Sequence, residues 1–343
     1  MDDLVLLTGI SGFLGGHVGL ALLKAGYRVR GSVRDLGKAD KVRASLQRAG
    51  GDVSRLDFVA LELNSDAGWD AAMRGVRYLQ HTASPFVTNM PKDRMELIRP
   101  AVDGTRRALQ AALAAEVERI VVTSSMAAIA YGHSRDRSTP FTGADWTDLA
   151  GRGVNAYVES KTLAEREAWT VIDSAGRHDD LATINPSVIL GPLLDDDPGT
   201  SAALVGRLMN GSVPAAARIY FSVIDARDVA EAHVRAMTAP EAGGRRYAIG
   251  DRTLSLLEFA DVVRAGLPEF SPRLPKREVP DWMVRLFAFV DKDIRGNVGE
   301  LGVERRIDAR DAVALLGHPL IAAPEAVLAT ARSLVAQGLV KQP

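Results

Sequence analysis

A glycine-rich turn between the first apolar segment and the first helical pattern constrains this chain more than any other feature. Residues 4–7 (LVLL) predict a buried strand, and helical periodicity begins near Phe13. Residues 8–15 between them read TGISGFLG, with glycine at every third position. A strand that turns through spaced glycines into a helix is the context of a dinucleotide-binding loop, so this turn predicts an α/β fold.

Each glycine in the loop has its own predicted role. Gly9 allows the tight turn, Gly12 lets the backbone approach a pyrophosphate, and Gly15 lets the helix pack close to the strand. The N-terminus of the helix adds free N–H groups and a partial positive charge, which favour phosphate. The alternative is an ordinary strand–turn–helix in which glycine serves geometry alone.

Composition and charge narrow the classes of function. A net charge of −1 leaves no basic excess for binding nucleic acid or an anionic membrane. The absence of cysteine excludes disulfides and thiolate metal sites, and the six histidines are too scattered to predict a metal site. No apolar run reaches the roughly 20 residues that span a bilayer. We therefore expect a cytoplasmic protein without metal, membrane or nucleic-acid partners; its oligomeric state, monomer or homodimer, is open.

The first half of the chain alternates strand-like runs with longer helical patterns, which predicts a parallel sheet covered on both faces. Right-handed crossovers then favour a Rossmann-type doubly wound fold. The predicted strands are 4–7, 27–33, 56–61, 76–80, 119–123 and 181–185. The helical patterns begin near Phe13, Lys38, Asp66, Pro91 and Asn155.

The pattern changes after Asn185, where prolines and glycines surround an acidic run at 195–197. The later predicted elements are a strand at 218–224, a helix at 226–237, a strand at 245–249, a helix from about Ser255 and an extended, proline-rich loop at 267–280. The remainder is predicted to be helical. The predicted domains are a Rossmann domain at 1–185, to which 218–240 returns, and a smaller, mostly helical substrate lobe formed mainly by 186–217 and 241–343.

Tyr157 and Lys161 are four residues apart in a helical pattern, which places both side chains on one helix face. A free tyrosine has a pKa of about 10, and a nearby ammonium lowers it by stabilising the phenolate. Because an acid–base group works best with a pKa near the working pH, the pair indicates a catalytic proton donor. Taken alone, the same spacing is also common on ordinary surface helices.

Ser124 and Ser125 follow the predicted strand 119–123, at the end of a parallel strand that faces the ligand crevice. A hydroxyl there can donate to a substrate carbonyl and share a proton network with Tyr157. We interpret Ser124 as satisfying backbone groups in the following turn. Ser125 is the candidate catalytic residue, on the strength of the resemblance described next.

Together these residues resemble the extended short-chain dehydrogenase/reductase family, above all its dihydroflavonol reductase-like branch of aldehyde and ketone reductases. The resemblance covers residues 4 to about 250. Besides the glycine loop, the matching stretches are 29–35 (VRGSVRD), 122–125 (VTSS), 157–165 (YVESKTLAE) and 185–192 (NPSVILGP). Each motif is moderately specific, and their shared order and spacing make the resemblance strong.

The resemblance implies reduction of a carbonyl to an alcohol, or the reverse, by hydride transfer with NADP(H). Ser125 would polarise the carbonyl, Tyr157 would protonate the nascent alkoxide, and Lys161 would assist the tyrosine and hydrogen-bond the nicotinamide ribose. The cofactor carries the hydride. The implied cofactor contacts are Thr8, Gly9, Gly12, Phe13, Leu14, Gly15, Ser32, Arg34, Lys41, Glu62, Leu63, Thr82, Ala83, Ser84, Tyr157, Lys161, Pro186 and Val188.

Two departures from the family bear on the substrate. Dihydroflavonol reductases carry an asparagine five positions after the catalytic serine, where this chain has Ala130. Cinnamoyl-CoA reductases carry Asn-Trp-Tyr-Cys-Tyr-Gly-Lys around the tyrosine, where residues 155–161 here read NAYVESK. Both departures favour a less specialised aldehyde or ketone reductase. Candidate substrate contacts are Phe86, Ser125, Tyr131 and Tyr220, and Met209, Trp282 and Phe287 are candidates for the pocket wall or for ordinary core.

Cofactor choice is predicted from the end of the second strand. NAD-preferring Rossmann proteins usually carry an acid there, whereas this strand ends at Arg34, which can clasp a 2′-phosphate. Lys41 and Ser32 can add a second charge and a hydroxyl. Asp35 could bind a ribose, but the adjacent Gly37 favours a turn or cap role. The prediction is a preference for NADPH over NADH.

Two other functions share these residues. A sugar-nucleotide epimerase or dehydratase uses the same fold and the same Ser–Tyr–Lys set, with a nucleotide diphosphate pocket in addition. A non-catalytic NADP-binding protein is the third reading; retention of both Tyr157 and Lys161 counts against it. Fold alone does not separate these functions.

Overall fold

Short runs of leucine, valine and isoleucine that are buried on both sides form the centre of the molecule. The computed structural model describes residues 2–85, 91–289 and 298–342. In the described residues the strands are β1 Leu4–Thr8, β2 Arg28–Val33, β3 Leu56–Ala60, β4 Val76–His81, β5 Arg119–Thr123, β6 Leu181–Pro186, β7 Val188–Leu190, β8 Ala216–Ala217, β9 Tyr220–Asp225, β10 Arg245–Ile249, β11 Arg252–Ser255 and β12 Glu278–Val279.

The helices follow the predicted alternation in the first half of the chain. In the described residues they are α1 Phe13–Lys24, α2 Ala39–Arg48, α3 Trp69–Met73, α4 Met95–Ala114, α5 Ala156–Ser174, α6 Gly199–Met209, α7 Ala226–Thr238, α8 Leu256–Gly266, α9 Asp281–Phe287, α10 Arg310–Leu316 and α11 Ala323–Ala336.

The main sheet has seven strands in the order β10-β6-β5-β4-β1-β2-β3, and every pairing in it is parallel. One apolar core includes residues of α1, α2, α7 and α10. Another, built from the other sides of the same strands, includes residues of α3, α4 and α5. The sheet is therefore covered on both faces, and the predicted doubly wound Rossmann-type fold is confirmed.

The strand order reverses between β1 and β4, which is where ligands of doubly wound folds bind. The chain leaves β1 toward β2 and β3 on one side, then returns to β4, β5 and β6 on the other. The glycine loop follows β1, and the segments after β4 and β5 lie beside it. The candidate site residues are brought together at this edge.

A third apolar core, in the region of the predicted smaller lobe, joins residues of α6, α8 and α11 with a three-stranded sheet of β11, β9 and β7. The chain does not stay in that lobe after residue 241, because β10 pairs with β6 and completes the main sheet. Within the predicted return at 218–240, α7 packs against α1, while β9 lies in the small sheet. The division into two domains remains a prediction.

Some boundaries differ from those predicted. The segment 267–280, predicted to be an extended loop, contains a short 3₁₀ turn at Pro268–Phe270 and the strand β12. The helix predicted from Pro91 begins at Met95, where Asp93 accepts the Met95 N–H. No helix in the described part of the chain is long and apolar enough to cross a membrane.

Candidate active site

The glycine loop packs its backbone against the neighbouring strand end. Gly9 has a φ of +73°, and a Cβ there would lie 2.9 Å from the Ala83 Cα. A Cβ on Gly15 would lie 2.0 Å from the Gly9 carbonyl oxygen. Gly12 precedes the first turn of α1, which Phe13 and Leu14 open, and no side chain caps that helix end. The loop thus presents free N–H groups to a cradle that fits a diphosphate.

Thr8 joins the end of β1 to the end of β4. Its hydroxyl oxygen accepts the Ala83 N–H at 3.1 Å and lies 2.9 Å from the His81 Nδ1. The Thr82 hydroxyl donates to the Thr8 carbonyl at 2.6 Å. Ala83 and Ser84 are therefore held directly beside the glycine loop.

Ser125 ends the β5 segment and caps a 3₁₀ turn, Met126–Ala128. Its hydroxyl oxygen accepts the Ala127 N–H at 3.1 Å. Because that bond uses the oxygen as an acceptor, the hydroxyl hydrogen remains available for a substrate oxygen. The side chain is partly exposed, unlike that of Ser124.

Tyr157 and Lys161 lie on successive turns of α5, as their spacing predicted. Asn155 starts this helix by accepting the Val158 N–H at 3.0 Å. The Lys161 Nζ lies 5.8 Å from the Tyr157 ring centroid and donates to the Ser84 Oγ at 2.8 Å. The ammonium therefore links the tyrosine to the strand end beside the glycine loop.

The same helix is fixed to the turn that carries Ser125. The Thr162 hydroxyl is 3.3 Å from the Ala127 carbonyl oxygen, and α5 packs along the turn Met126–Ala128. The three candidate catalytic side chains thus come from two rigid elements, a strand end and a helix, that contact each other.

The structure does not match our interpretation that the Ser124 side chain satisfies backbone groups in the following turn. Its hydroxyl donates to the Glu165 carboxylate, which has no exposed side-chain surface. The carboxylate also accepts the Asn185 Nδ2 hydrogen at 2.6 Å and the Thr183 hydroxyl at 3.1 Å. Because Asn185 also reaches the Ser125 carbonyl oxygen at 3.4 Å, this polar cluster lies directly behind the candidate catalytic serine.

Arg246 on β10 neutralises the buried Glu165. Its Nε donates to the carboxylate at 2.6 Å, and its side chain is 9% exposed. Its other nitrogens donate to backbone oxygens, including that of Gly143 at 2.7 Å, and its guanidinium lies over the Trp146 ring at 3.6 Å. Nothing in the periodicity of the sequence indicated this pairing.

Burial raises the pKa of the Tyr131 phenol. The guanidinium of Arg305 stacks on the Tyr131 ring at 3.9 Å and is paired with Glu300. The role of Tyr131 as a substrate contact stays a prediction.

Tyr220 lies on β9 and pairs with Ser255 of β11, and none of the described contacts joins it to the catalytic side chains. Met209 is fully buried in the core of the smaller lobe, whereas Trp282 on α9 is 66% exposed. Phe86 lies outside the described residues, as does the side chain of Phe287.

The end of β2 carries the residues predicted to select the cofactor. Arg34 is exposed and makes no ion pair within the described residues. Ser32 accepts the Gly9 N–H at 3.3 Å, which places it beside the glycine loop. Asp35 accepts the Gly37 N–H at 2.9 Å, so its predicted cap role is confirmed. Lys41 is paired with Asp196 of the acidic run.

The remaining predicted cofactor contacts line the same edge of the sheet. Pro186 ends β6 and pairs with Ile249, and Val188 begins β7. Glu62 and Leu63 follow β3, and the Leu63 side chain packs against Gly104 of α4.

The stretch 225–233, which resembles a family motif, has a structural role, as we interpreted it. Asp225 caps α7 by accepting the Arg227 N–H at 2.8 Å. Asp228 accepts the Ile321 N–H at 2.7 Å, and burial raises its pKa to about 6. His233 bonds Gln80 at 2.8 Å and Thr123 at 2.9 Å, and burial lowers its pKa to about 3.

Three comparisons place these features among known proteins. A sequence model described as the NAD dependent epimerase/dehydratase family matches residues 5–250. A cinnamoyl-CoA reductase of Medicago truncatula is 33% identical over 287 residues, 82% of this chain and 85% of the relative. The ketoreductase azaE of Aspergillus niger is 33% identical over 295 residues, 81% of this chain and 86% of the relative. Gre2 of Candida albicans in complex with NADPH aligns with a TM-score of 0.78 at 25% identity, covering 98% of this chain and 99% of that one.

Proposed function

We propose that this chain, which belongs to the NAD dependent epimerase/dehydratase family of extended short-chain dehydrogenases/reductases, reduces an aldehyde or ketone to an alcohol with NADPH. Ser125, Tyr157 and Lys161 are the proposed catalytic residues. Two relatives of at least 30% identity are named for reducing cinnamoyl-CoA and ketones, and a structural neighbour is described with NADPH. These names support the reaction class.

One observation carries the assignment: Lys161 bridges the catalytic helix to the strand end beside the glycine loop. Its Nζ bonds Ser84 at 2.8 Å, next to the Ala83 that packs on Gly9. A nicotinamide ribose lies near this edge when a diphosphate occupies the glycine loop. This contact supports the proposed role of the ammonium toward both the Tyr157 phenol and the cofactor.

NADPH, when bound, supplies the hydride. The Ser125 hydroxyl hydrogen, which no described contact uses, donates to the substrate carbonyl oxygen and polarises it. The Tyr157 phenol gives its proton to the same oxygen as it becomes an alkoxide, and the Lys161 ammonium stabilises the phenolate left behind. In the reverse direction the phenolate accepts the proton from the alcohol.

The proposed substrate is a medium-sized aldehyde or ketone with an apolar aromatic or aliphatic body. The asparagine that dihydroflavonol reductases use on the flavonoid ring is replaced by Ala130, which is buried and whose carbonyl accepts the Arg305 Nε hydrogen at 3.1 Å. The side chain at this position therefore cannot hydrogen-bond a flavonoid hydroxyl. Tyr131, next in the chain, is the proposed aromatic contact for the substrate body.

The test is turnover by Tyr157→Phe. The variant keeps the ring and loses the proton donor, so turnover should fall at least about a hundredfold, the low end of general acid–base catalysis. NADPH affinity, measured by fluorescence titration, should be nearly unchanged. Tyr247→Phe is the matched control, because its buried hydroxyl has no hydrogen-bond partner among the described residues.

A scan of aldehydes and ketones against the absorbance of NADPH identifies the substrate for this test. Near-normal turnover in Tyr157→Phe would refute the proposed mechanism. Conversion of a nucleotide sugar without net consumption of NADPH would instead identify an epimerase or dehydratase.

A further inference from the structure

The loop that follows β3, residues 62–66, lies beside the strand end that carries Arg34. The Leu61 N–H donates to the Val33 carbonyl at 3.0 Å, which joins the end of β3 to the end of β2 directly before Arg34. The 2′-oxygen and the base of adenosine are attached to adjacent carbons of one ribose. A 2′-phosphate bound at Arg34 would therefore bring the adenine of the cofactor to this loop.

The loop offers an acceptor and a donor that the rest of the described chain does not use. The Glu62 carboxylate is exposed and accepts no hydrogen bond within the described residues, and the Leu63 N–H donates to none of them. An adenine base presents an amino donor and ring-nitrogen acceptors, which these two groups complement. The match depends on a fixed loop, because a segment that must be ordered on binding costs affinity.

Arg107 of α4 holds this loop by two bonds. Its guanidinium donates to the Leu63 carbonyl and to the Asp66 carboxylate. The Asp66 side chain is 89% exposed, so we expect the ion pair to contribute little. The bond to the Leu63 carbonyl is charge-assisted and comes from a half-buried side chain, so it is the stronger restraint on the loop.

Two further contacts fix the position of Leu63. A Cβ on Gly104, three residues before Arg107 on α4, would lie 2.9 Å from the Leu63 Cβ. The Leu63 side chain packs against the apolar core that contains Trp69, and the Trp69 Nε1 donates to the Ser65 carbonyl at 3.0 Å. The helix α4 therefore sets the position of the loop through the bare backbone of Gly104 and the side chain of Arg107.

We propose that Arg107 is a positioning residue for the adenine end of the cofactor, which fixes the loop so that Glu62 and Leu63 meet the base. It acts through the Leu63 carbonyl. The inference rests on the proposed function, in which NADPH is the cofactor and the loop contacts it. Because NADPH and NADH share the adenine, the contribution of Arg107 should be the same for both, unlike that of Arg34.

The test is equilibrium binding of NADPH and of NADH to Arg107→Met, measured by fluorescence titration. Methionine keeps an apolar stem and removes both donated bonds. Affinity should fall by roughly three- to tenfold for both cofactors alike, because each must order the freed loop. In turnover, the loss should appear in the KM for the cofactor, with kcat and the KM for the carbonyl substrate unchanged.

Arg106→Met is the matched control. Arg106 is the preceding residue on α4 and carries the same charge, but it pairs with Glu167 and Asp103 and makes no described contact with the loop. Its substitution removes one positive charge and two ion pairs from the same helix. The affinities for NADPH and NADH should nevertheless stay at the wild-type values.

Gly104→Ala is a second perturbation of the loop that leaves Arg107 in place. The added methyl group requires Leu63 to shift, while alanine favours the helix over glycine, so the protein should stay folded. It should weaken NADPH and NADH together. Asp66→Asn keeps the bond to the Leu63 carbonyl and should change both affinities by less than about twofold, since an exposed ion pair contributes little.

Unchanged affinity for both cofactors in folded Arg107→Met protein overturns the proposal. A loss for NADPH alone also overturns it, because it would assign Arg107 to the 2′-phosphate, and an equal loss in Arg106→Met would reduce the effect to the charge of the helix. Failure of the proposed function is distinguishable: it appears as normal turnover in Tyr157→Phe, whereas the cofactor titrations need no turnover.

Discussion

Glu165 is a carboxylate with no exposed side-chain surface, and its charge is compensated across the sheet by Arg246. The pair joins β6, α5 and β10 behind Ser125. A buried ion pair adds little net stability over apolar residues, but removal of one partner leaves the other charge uncompensated. Loss of the pair should therefore lower stability and shift the position of Ser125, the proposed catalytic serine.

Arg246→Met should lower the free energy of unfolding by about 3–5 kcal/mol, because the Glu165 carboxylate stays buried without a counter-charge. Urea unfolding measures the change. The double variant Glu165→Gln with Arg246→Met should recover part of the loss, since neither charge then remains. A double variant no more stable than Arg246→Met would contradict this account.

Arg34 is an exposed arginine that directly follows β2, and it forms no ion pair in the described part of the chain. We expect the wild type to prefer NADPH over NADH by at least about tenfold, equivalent to about 1.4 kcal/mol. Arg34→Ala should erase most of that preference by weakening NADPH while sparing NADH, because a guanidinium clasps the 2′-phosphate.

The measurement is the ratio of kcat/KM for the two cofactors. Arg28→Ala is the control, because Arg28 is an exposed arginine at the start of the same strand. Equal use of both cofactors by the wild type would exclude the role assigned to Arg34.

At the scale of elements, the segment after β7 lies across α2 and the glycine loop. The Ser45 hydroxyl donates to the Leu194 carbonyl at 2.6 Å, and the His17 ring bonds the Pro192 carbonyl at 2.9 Å. Two residues beyond Leu194, Asp196 pairs with Lys41. Asp196 of the acidic run thus forms an ion pair with Lys41, a side chain predicted to bind the 2′-phosphate.

Asp196→Asn should tighten NADPH binding by up to about fivefold and leave NADH unchanged, since exposed ion pairs are weak competitors. The gain should shrink at high salt. Equilibrium binding of both cofactors measures it, with Asp70→Asn, a remote exposed acid on α3, as the control. Equal tightening for NADH would show that Asp196 acts on something other than the 2′-phosphate.

For the whole molecule, buried imidazoles make stability depend on pH. Burial lowers the pKa of His81 to about 4 and that of His233 to about 3, from 6.5. Between those values and 6.5 the unfolded chain binds protons that the native protein does not, so stability is full above pH 6.5 and falls as the pH falls. Asp228, whose pKa burial raises to about 6, acts in the opposite sense below pH 6.

For these three groups the expected change between about pH 6 and pH 4 is a loss of about 1.4 kcal/mol of unfolding free energy per pH unit, two histidines against one aspartate. Burial also lowers the pKa of His17, which acts in the same direction as the other two histidines. Urea unfolding at several pH values measures this slope. His233→Phe should flatten it by about the same amount. Stability that rises steadily toward pH 4 in the wild type would contradict the assignment.

The sequence predicted the parts of this structure that are local. Apolar runs located β5 and β10 to the residue, and Asn155 marked the start of α5 because its cap contacts lie three residues away. The pairing of Glu165 with Arg246 was not predictable, since the partners are 81 residues apart and periodicity carries no information on which buried charges meet. Nor does periodicity indicate that the buried His81 Nε2 has no hydrogen-bond partner among the described residues.

The late position of β10 in the chain has a consequence for synthesis on the ribosome. The first six parallel strands emerge by residue 186, but the sheet lacks its outer strand until residue 249 has been made. During that interval the edge of β6 offers unpaired backbone groups to other chains. Glu165 also lacks its partner Arg246 during this interval. Products of premature termination between residues 186 and 249 should therefore be prone to aggregation, even though all three proposed catalytic residues are already present.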